Sequence, residues 1–135
     1  ASHFSSPGQS TSGKEENYRF PSALAPDHWA LSGKWRIEEE RIVSQMEGAK
    51  LQLNFNAAKV FLVLGTKSEK PIEVRLLLNG KPVKGAAGKD APDGKFTVQK
   101  HTLYELIDQH TARKGMLEIT VEKPGLEAYA FTFGN

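Results

Sequence analysis

Near its C-terminus the chain reads Pro124-Gly125-Leu126-Glu127-Ala128-Tyr129-Ala130-Phe131-Thr132-Phe133-Gly134. Tyr129, Phe131 and Phe133 stand two apart, so an extended strand puts their rings on one face and Ala128, Ala130 and Thr132 on the other. Pro124-Gly125 supplies a turn to start the strand, and Gly134 stops it. Rings that each bury on the order of 150–250 Å² dominate a small core. Such a strand needs neighbours on both edges, because an exposed one invites edge-to-edge association. The segment predicts a β-protein whose last strand is inserted centrally, with its rings facing the core.

The rest of the chain agrees. Trp29-Ala30-Leu31 precedes a turn signal at Ser32-Gly33, and Trp35 and Ile37 then alternate with charges. Glu38 to Arg41 reads as an exposed corner before Ile42-Val43. Leu51, Leu53 and Phe55 alternate with Gln52 and Asn54, the pattern of a half-buried antiparallel strand. Val60 to Leu64 is apolar on both faces, which predicts a central strand covered on both sides. Ile72, Val74, Leu76 and Leu78 oppose Glu73 and Arg75 until Asn79-Gly80, a strong turn dipeptide. Residues 81–95, rich in glycine, proline and charge, read as a surface loop, with Asp93-Gly94 turning into Phe96-Thr97-Val98. Leu103 to His110 fits helical spacing as well as alternation; strand density around it favours a strand over His101 to Ile107. Leu117, Ile119 and Val121 alternate cleanly before the closing strand. Short strands at intervals of roughly ten residues predict an all-β fold, an antiparallel β-sandwich of the jelly-roll kind.

With 135 residues, the chain has room for one two-layer core. Residues 1–17, polar and rich in Ser and Gly, are read as a connector, and residues 18–135 as the sandwich. Tyr18, Phe20 and Leu24, spaced by Pro21 and Pro26, form an extended strap into it. The 18 basic and 16 acidic residues are interspersed, which is no footprint for nucleic acid. No apolar run approaches the ~18–20 residues that span a bilayer, and no secretory leader is visible. The expectation is therefore a domain that touches neither nucleic acid nor membrane.

Chemistry is sparse. There is no cysteine, which removes thiol redox work and thiolate metal sites from this chain itself. His3, His28, His101 and His110 show no ligand spacing, no serine sits in a nucleophile elbow, and the glycines do not follow a phosphate-loop pattern. Consecutive Glu38-Glu39-Glu40 point to alternating faces and make no acid pair across a cleft. No catalytic residue, cofactor or metal is expected. Trp29 and Trp35 are the residues of interest. Either they plug the core, as buried aromatics do, or they offer flat faces to sugar rings, flanked by Arg36, Gln52, Asn54 or Arg75. Trp29, Trp35, Arg36, Asn54 and Arg75 are thus the candidate ligand or partner surface.

Several stretches together resemble a known family. His28-Trp29-Ala30-Leu31-Ser32-Gly33-Lys34-Trp35 with Glu38, Leu51-x-Leu-x-Phe55 leading to Ala57, Ala58 and Val60, Leu103-Tyr104, and the closing segment from Pro124 look like the C-terminal domain of DipZ-like proteins, which are bacterial thiol–disulfide interchange proteins. Phe4-Ser5-Ser6-Pro7-Gly8 and Tyr18 look like the family's connector. The resemblance covers nearly the whole chain. It implies a sandwich similar to carbohydrate-binding modules, located in the periplasm or otherwise outside the cytoplasm. It also implies redox cysteines in a neighbouring thioredoxin-like domain of the same parent chain. The expected function is a non-catalytic accessory domain that positions this redox domain or recruits its substrate protein. The alternative is a carbohydrate-binding module that tethers it to a cell-wall glycan.

Overall fold

The computed structural model describes residues 15–20, 24, 28–38, 41–68, 70–83 and 85–134. Residues 1–14 of the expected connector, both strap prolines, and Glu39 and Glu40 of the expected corner lie outside them. The described residues contain strands and no helix. In chain order these are β1 (Glu15–Tyr18), β2 (Trp29–Ile37), β3 (Ile42–Ser44), β4 (Ala49–Thr66), β5 (Ile72–Leu78), β6 (Lys95–Val98), β7 (Thr102–Val121) and β8 (Leu126–Gly134). All pair antiparallel, in the order β1-β2-β3-β8-β4-β7-β5-β6, with β2 also pairing β4.

Two long strands make the sandwich. β4 pairs β7 from Ala49↔Val121 to Leu64↔Thr102. Along its other edge β4 pairs first β2, at Trp29↔Leu53 to Ser32↔Lys50, and then β8, at Lys59↔Gly134 to Thr66↔Leu126. The β4–β7 ribbon therefore passes from one layer into the other. The sequence marks where: burial falls on Leu51, Leu53 and Phe55 before the corner and on Val60, Leu62 and Leu64 after it, so the alternation changes phase. A register shift between Ala57 and Lys59 absorbs the change, as a bulge does. Ala57 and Ala58 are both buried there, small enough to sit inside the bend. On the facing side β7 bulges out over 109–112. Buried Gln109 replaces the missing ladder bonds, its amide nitrogen donating to Ala57 O and Arg113 O, both at 3.0 Å.

β2 is likewise one strand. Ser32-Gly33 does not turn the chain back. It kinks it, with Gly33 at φ 91°, so that Trp29–Ser32 pair β4 while Trp35–Ile37 pair β3. A Cβ at Gly33 would stand 3.2 Å from Ala49 Cα. The ring β2–β3–β8–β4 thereby closes on itself around Trp35, Leu31, Phe55, Leu62, Leu64 and Leu126, all at 2% exposure or less.

Four further expectations need correction. Val60 to Leu64 is central but covered on one side: Phe61 and Val63 are half-buried on the outer face. The expected separate strands at 101–107 and 117–121 are two ends of β7. The 81–95 loop is docked: Val83, Ala86, Gly88 and Ala91 are buried, and Gly88 N–H donates to Leu106 O at 2.9 Å. The closing strand is inserted between β3 and β4 as expected, yet its rings do not share a core face. Phe133 and Phe131 register opposite core residues Val60 and Leu62, but Ala128 registers opposite Leu64, so two residues of β8 face one of β4. That bulge turns Tyr129 to the outer side. Phe131 is half-buried, and Phe133, at the strand's end, is 48% exposed.

Candidate functional site

The structure disperses the residues singled out from sequence. Trp29 is 9% exposed and Trp35 fully buried, its indole N–H donating to Ser32 O at 3.0 Å, so neither ring offers a face to a ligand. Asn54 donates from its side chain to Leu24 O at 2.7 Å, and its backbone N–H donates to His28 O at 3.0 Å. It fastens the strap to β4. Arg75 pairs with Glu122 at 3.0 Å and Glu73 at 3.6 Å on the outer side of β5 and β7, beside an open depression lined by Pro71, Glu73, Thr97, Glu122 and Lys123. Its side chain is 62% exposed, where such pairs contribute about 0–1 kcal/mol. Arg36 stands on the outer side of the other layer, opposite Val43.

That other layer carries an arrangement which the strand pattern did not announce. Glu127 registers opposite Gly65 and Val43. Its side chain is 9% exposed, and Arg41 Nη1 donates to its Oε2 at 2.7 Å. Arg41 Nε donates to Glu38 Oε1 at 2.7 Å, and Arg41 Nη1 also donates to Tyr129 Oη at 3.3 Å. The Tyr129 hydroxyl donates in turn to Glu127 Oε1 at 3.3 Å. Hydrogen bonds to Tyr129 and then to Glu38, reinforced by the charges of Glu127 and Glu38 and opposed by desolvation, hold the Arg41 pKa above its already high ordinary value. Its charge therefore persists at every pH where the domain folds, and the group is a fixed feature of the surface.

His101 lies over the other face of the cluster, its ring 4.4 Å from that of Tyr129 and inclined by 18°. Gly65 lies beneath both groups: a Cβ there would sit 3.4 Å from His101 Cβ and 3.5 Å from Glu127 Oε1, ordinary contact distances. Beside this polar centre, Val63 registers opposite Leu103, which is 48% exposed, and Phe61 opposite Thr132. The arrangement is a polar knot of Arg41, Glu38, Glu127 and Tyr129 beside partly exposed apolar side chains of the same sheet. Among the described residues no group of three or more His, Cys, Asp or Glu could hold a metal ion. One signal for the knot was present in sequence. Glu127, two residues before Tyr129, puts a carboxylate on the tyrosine's face, which a core-facing row of rings would exclude.

Arg41→Met tests the knot. It leaves Glu127 without its cation, and loss of one partner of a buried pair costs several kcal/mol. Because the Arg41 side chain is 34% exposed, the expected loss is smaller, about 1–3 kcal/mol in chemical denaturation. Arg41→Met with Glu127→Leu should recover much of it; a double variant no more stable than the single one would refute the pairing.

The chain matches, over residues 1–134, the family described as thioredoxin like C-terminal domain. It is 24% identical over 117 residues to Protein DipZ of Mycobacterium bovis and, at the same identity, to Protein DipZ of Mycobacterium tuberculosis. The match covers 87% of this chain but 15% of those proteins, so the chain spans a small fraction of their length. Among solved structures, it is similar to a family two carbohydrate esterase from Clostridium thermocellum in complex with cellohexaose, with a TM-score of 0.55 at 15% identity, covering 70% of this chain and 27% of the esterase. A family two carbohydrate esterase from Cellvibrio japonicus gives 0.53 at 10%, covering 81% and 33%. These likenesses concern the antiparallel β-sandwich. The family match spans all but the last residue, so this chain belongs to the thioredoxin-like C-terminal domain family.

Proposed function

We propose that this chain is a non-catalytic accessory domain of an extracytoplasmic thiol–disulfide interchange protein, positioning a thioredoxin-like redox domain or recruiting its substrate protein. The observation that carries this reading is the family match over residues 1–134 of a chain without cysteine. A domain with no thiol has no part in disulfide exchange itself. It can still change which protein reaches the exchanging pair and how that pair is oriented. The rigid outer face around Glu127 and Tyr129 supports contact, not chemistry. The relationship to Protein DipZ supports placing the domain outside the cytoplasm as part of the same proposal.

The test compares the parent protein with and without residues 15–134, measuring reductase rate on several disulfide substrates. Removal should shift the rate or the ranking of substrates; identical values for both would eliminate the accessory role.

A second reading makes the domain a carbohydrate-binding module that tethers its parent to a cell-wall glycan. It draws on the likeness to an esterase solved with cellohexaose. The burial of Trp29 and Trp35 removes the sequence argument for it, leaving His101 and Tyr129 as the stacking pair. Retention on isolated cell wall, lost in His101→Ala, supports it; failure to be retained removes it.

A further inference from the structure

We infer that Met46 is an oxidation site of this domain: a peroxide converts its thioether to the sulfoxide, and the turn that carries it then loosens from β2. The chain has two methionines, Met46 and Met116, and no cysteine, so its sulfur chemistry rests on these two thioethers. Met46 is 39% exposed, whereas Met116 is half-buried on β7, and exposure decides which sulfur a dissolved oxidant reaches first. In the step, a sulfur lone pair attacks one oxygen of hydrogen peroxide and the O–O bond breaks. The departing hydroxide takes the proton of the transferred hydroxyl, leaving an S–O bond and water. Sulfur is oxidised by two electrons and the peroxide is reduced by two.

The position of this sulfur gives the oxidation a structural consequence. Met46 lies in the turn between β3, which ends at Ser44, and β4, which starts at Ala49. Its Sδ stands 3.2 Å from the point that a Cβ on Gly33 would occupy, and Ala49 Cα stands 3.2 Å from the same point. The thioether therefore lies over the bare backbone of Gly33, at the kink where β2 leaves β4 for β3. The other atoms nearest that point, Ala49 Cα and Cβ, are carbons and donate no hydrogen bond. A sulfoxide oxygen is a strong acceptor whose burial without a donor is costly, so the oxidised side chain turns outward to water and uncovers Gly33. Two backbone bonds flank Met46 and hold the turn: Gln45 N–H donates to Lys34 O at 2.9 Å, and Gly48 N–H donates to Val121 O at 2.8 Å. Both open more readily once the side chain between them no longer packs on β2.

Dilute hydrogen peroxide added to this chain, followed by peptide mass spectrometry and amide hydrogen exchange read by NMR, tests the assignment. Met46 should take up oxygen roughly fivefold faster than Met116, in line with its exposure. Once Met46 is oxidised, the amides of Gln45 and Gly48 should exchange roughly three- to tenfold faster, as expected for a local opening. Met46→Leu keeps an apolar side chain of similar volume and removes the sulfur, so it should fold as the wild type and show no change in exchange after the same treatment. Equal oxidation of the two methionines, or earlier oxidation of Met116, overturns the choice of Met46. Oxidised Met46 with unchanged exchange at Gln45 and Gly48 overturns the link to the Gly33 kink, as does the same peroxide-induced change in Met46→Leu.

Discussion

Trp35→Ala should lower the stability of the domain by about 3–5 kcal/mol, the range for removing a buried aromatic. The residue is fully buried and pairs across β2 and β3 with Ser44. It sits just beyond the Gly33 kink, where β2 leaves β4 for β3, so the ring fills the place where the two layers join. Truncation opens a cavity there and frees the Ser32 carbonyl of its indole donor. For a domain of this size the melting temperature should fall by roughly 10–20 °C. Trp35→Phe keeps most of the ring and loses the donor, so its cost should be nearer 1–2 kcal/mol. A Trp35→Ala protein that melts with the wild type, but no longer binds a glycan, would return the residue to the ligand-stacking role considered from sequence.

The contrast between the two tryptophans and Tyr129 shows what alternation could and could not tell. Period-two patterning located most strands, because each has one buried face and the buried residues repeat every second position. The phase change between Phe55 and Val60 was also written in the chain, as apolar residues at odd and then even positions. What alternation cannot tell is whether the phase holds across a given pair of residues. In β8 the step from Ala128 to Phe131 carries an extra residue against β4, and this places Tyr129 opposite to the side expected for it. Bulges are set by the partner strand as much as by the local sequence, so the ring that anchors the candidate site was read as core. Arg41 and Glu127 are 86 positions apart in the chain and meet because β3 pairs β8, a long-range choice no local pattern encodes.

The loop before β6 hides the second large effect. β5 pairs β7 only from Leu117 to Val121, which leaves the β7 edge from Glu105 to Asp108 without a strand on that side. The loop supplies one: Ala87 bridges Ile107, Asp108 N–H donates to Ala86 O at 2.9 Å, and Asp90 N–H donates to Glu105 O at 3.2 Å. Side chains lock the crossing, with Glu105 N–H donating to Asp90 Oδ2 at 2.7 Å and Lys89 N–H to Glu105 Oε2 at 2.9 Å. Gly88 permits this approach, since a Cβ there would stand 2.5 Å from Glu105 O and 2.8 Å from Leu106 C. These atoms are backbone of a strand held by β4 on its other edge, so they cannot yield without breaking that ladder as well. Gly88→Ala should therefore lift the loop, at a cost of about 2–4 kcal/mol. Gly85→Ala is the control. It has φ 73° but open space around it, so only backbone strain applies, about 1 kcal/mol. Undocking also bares the β7 edge, and a bare edge recruits other chains. Gly88→Ala should thus combine early urea unfolding with light scattering that grows with protein concentration, whereas Gly85→Ala should show neither beyond its small strain. Equal behaviour of the two variants would mean that the loop merely lies against β7 and does not complete its edge.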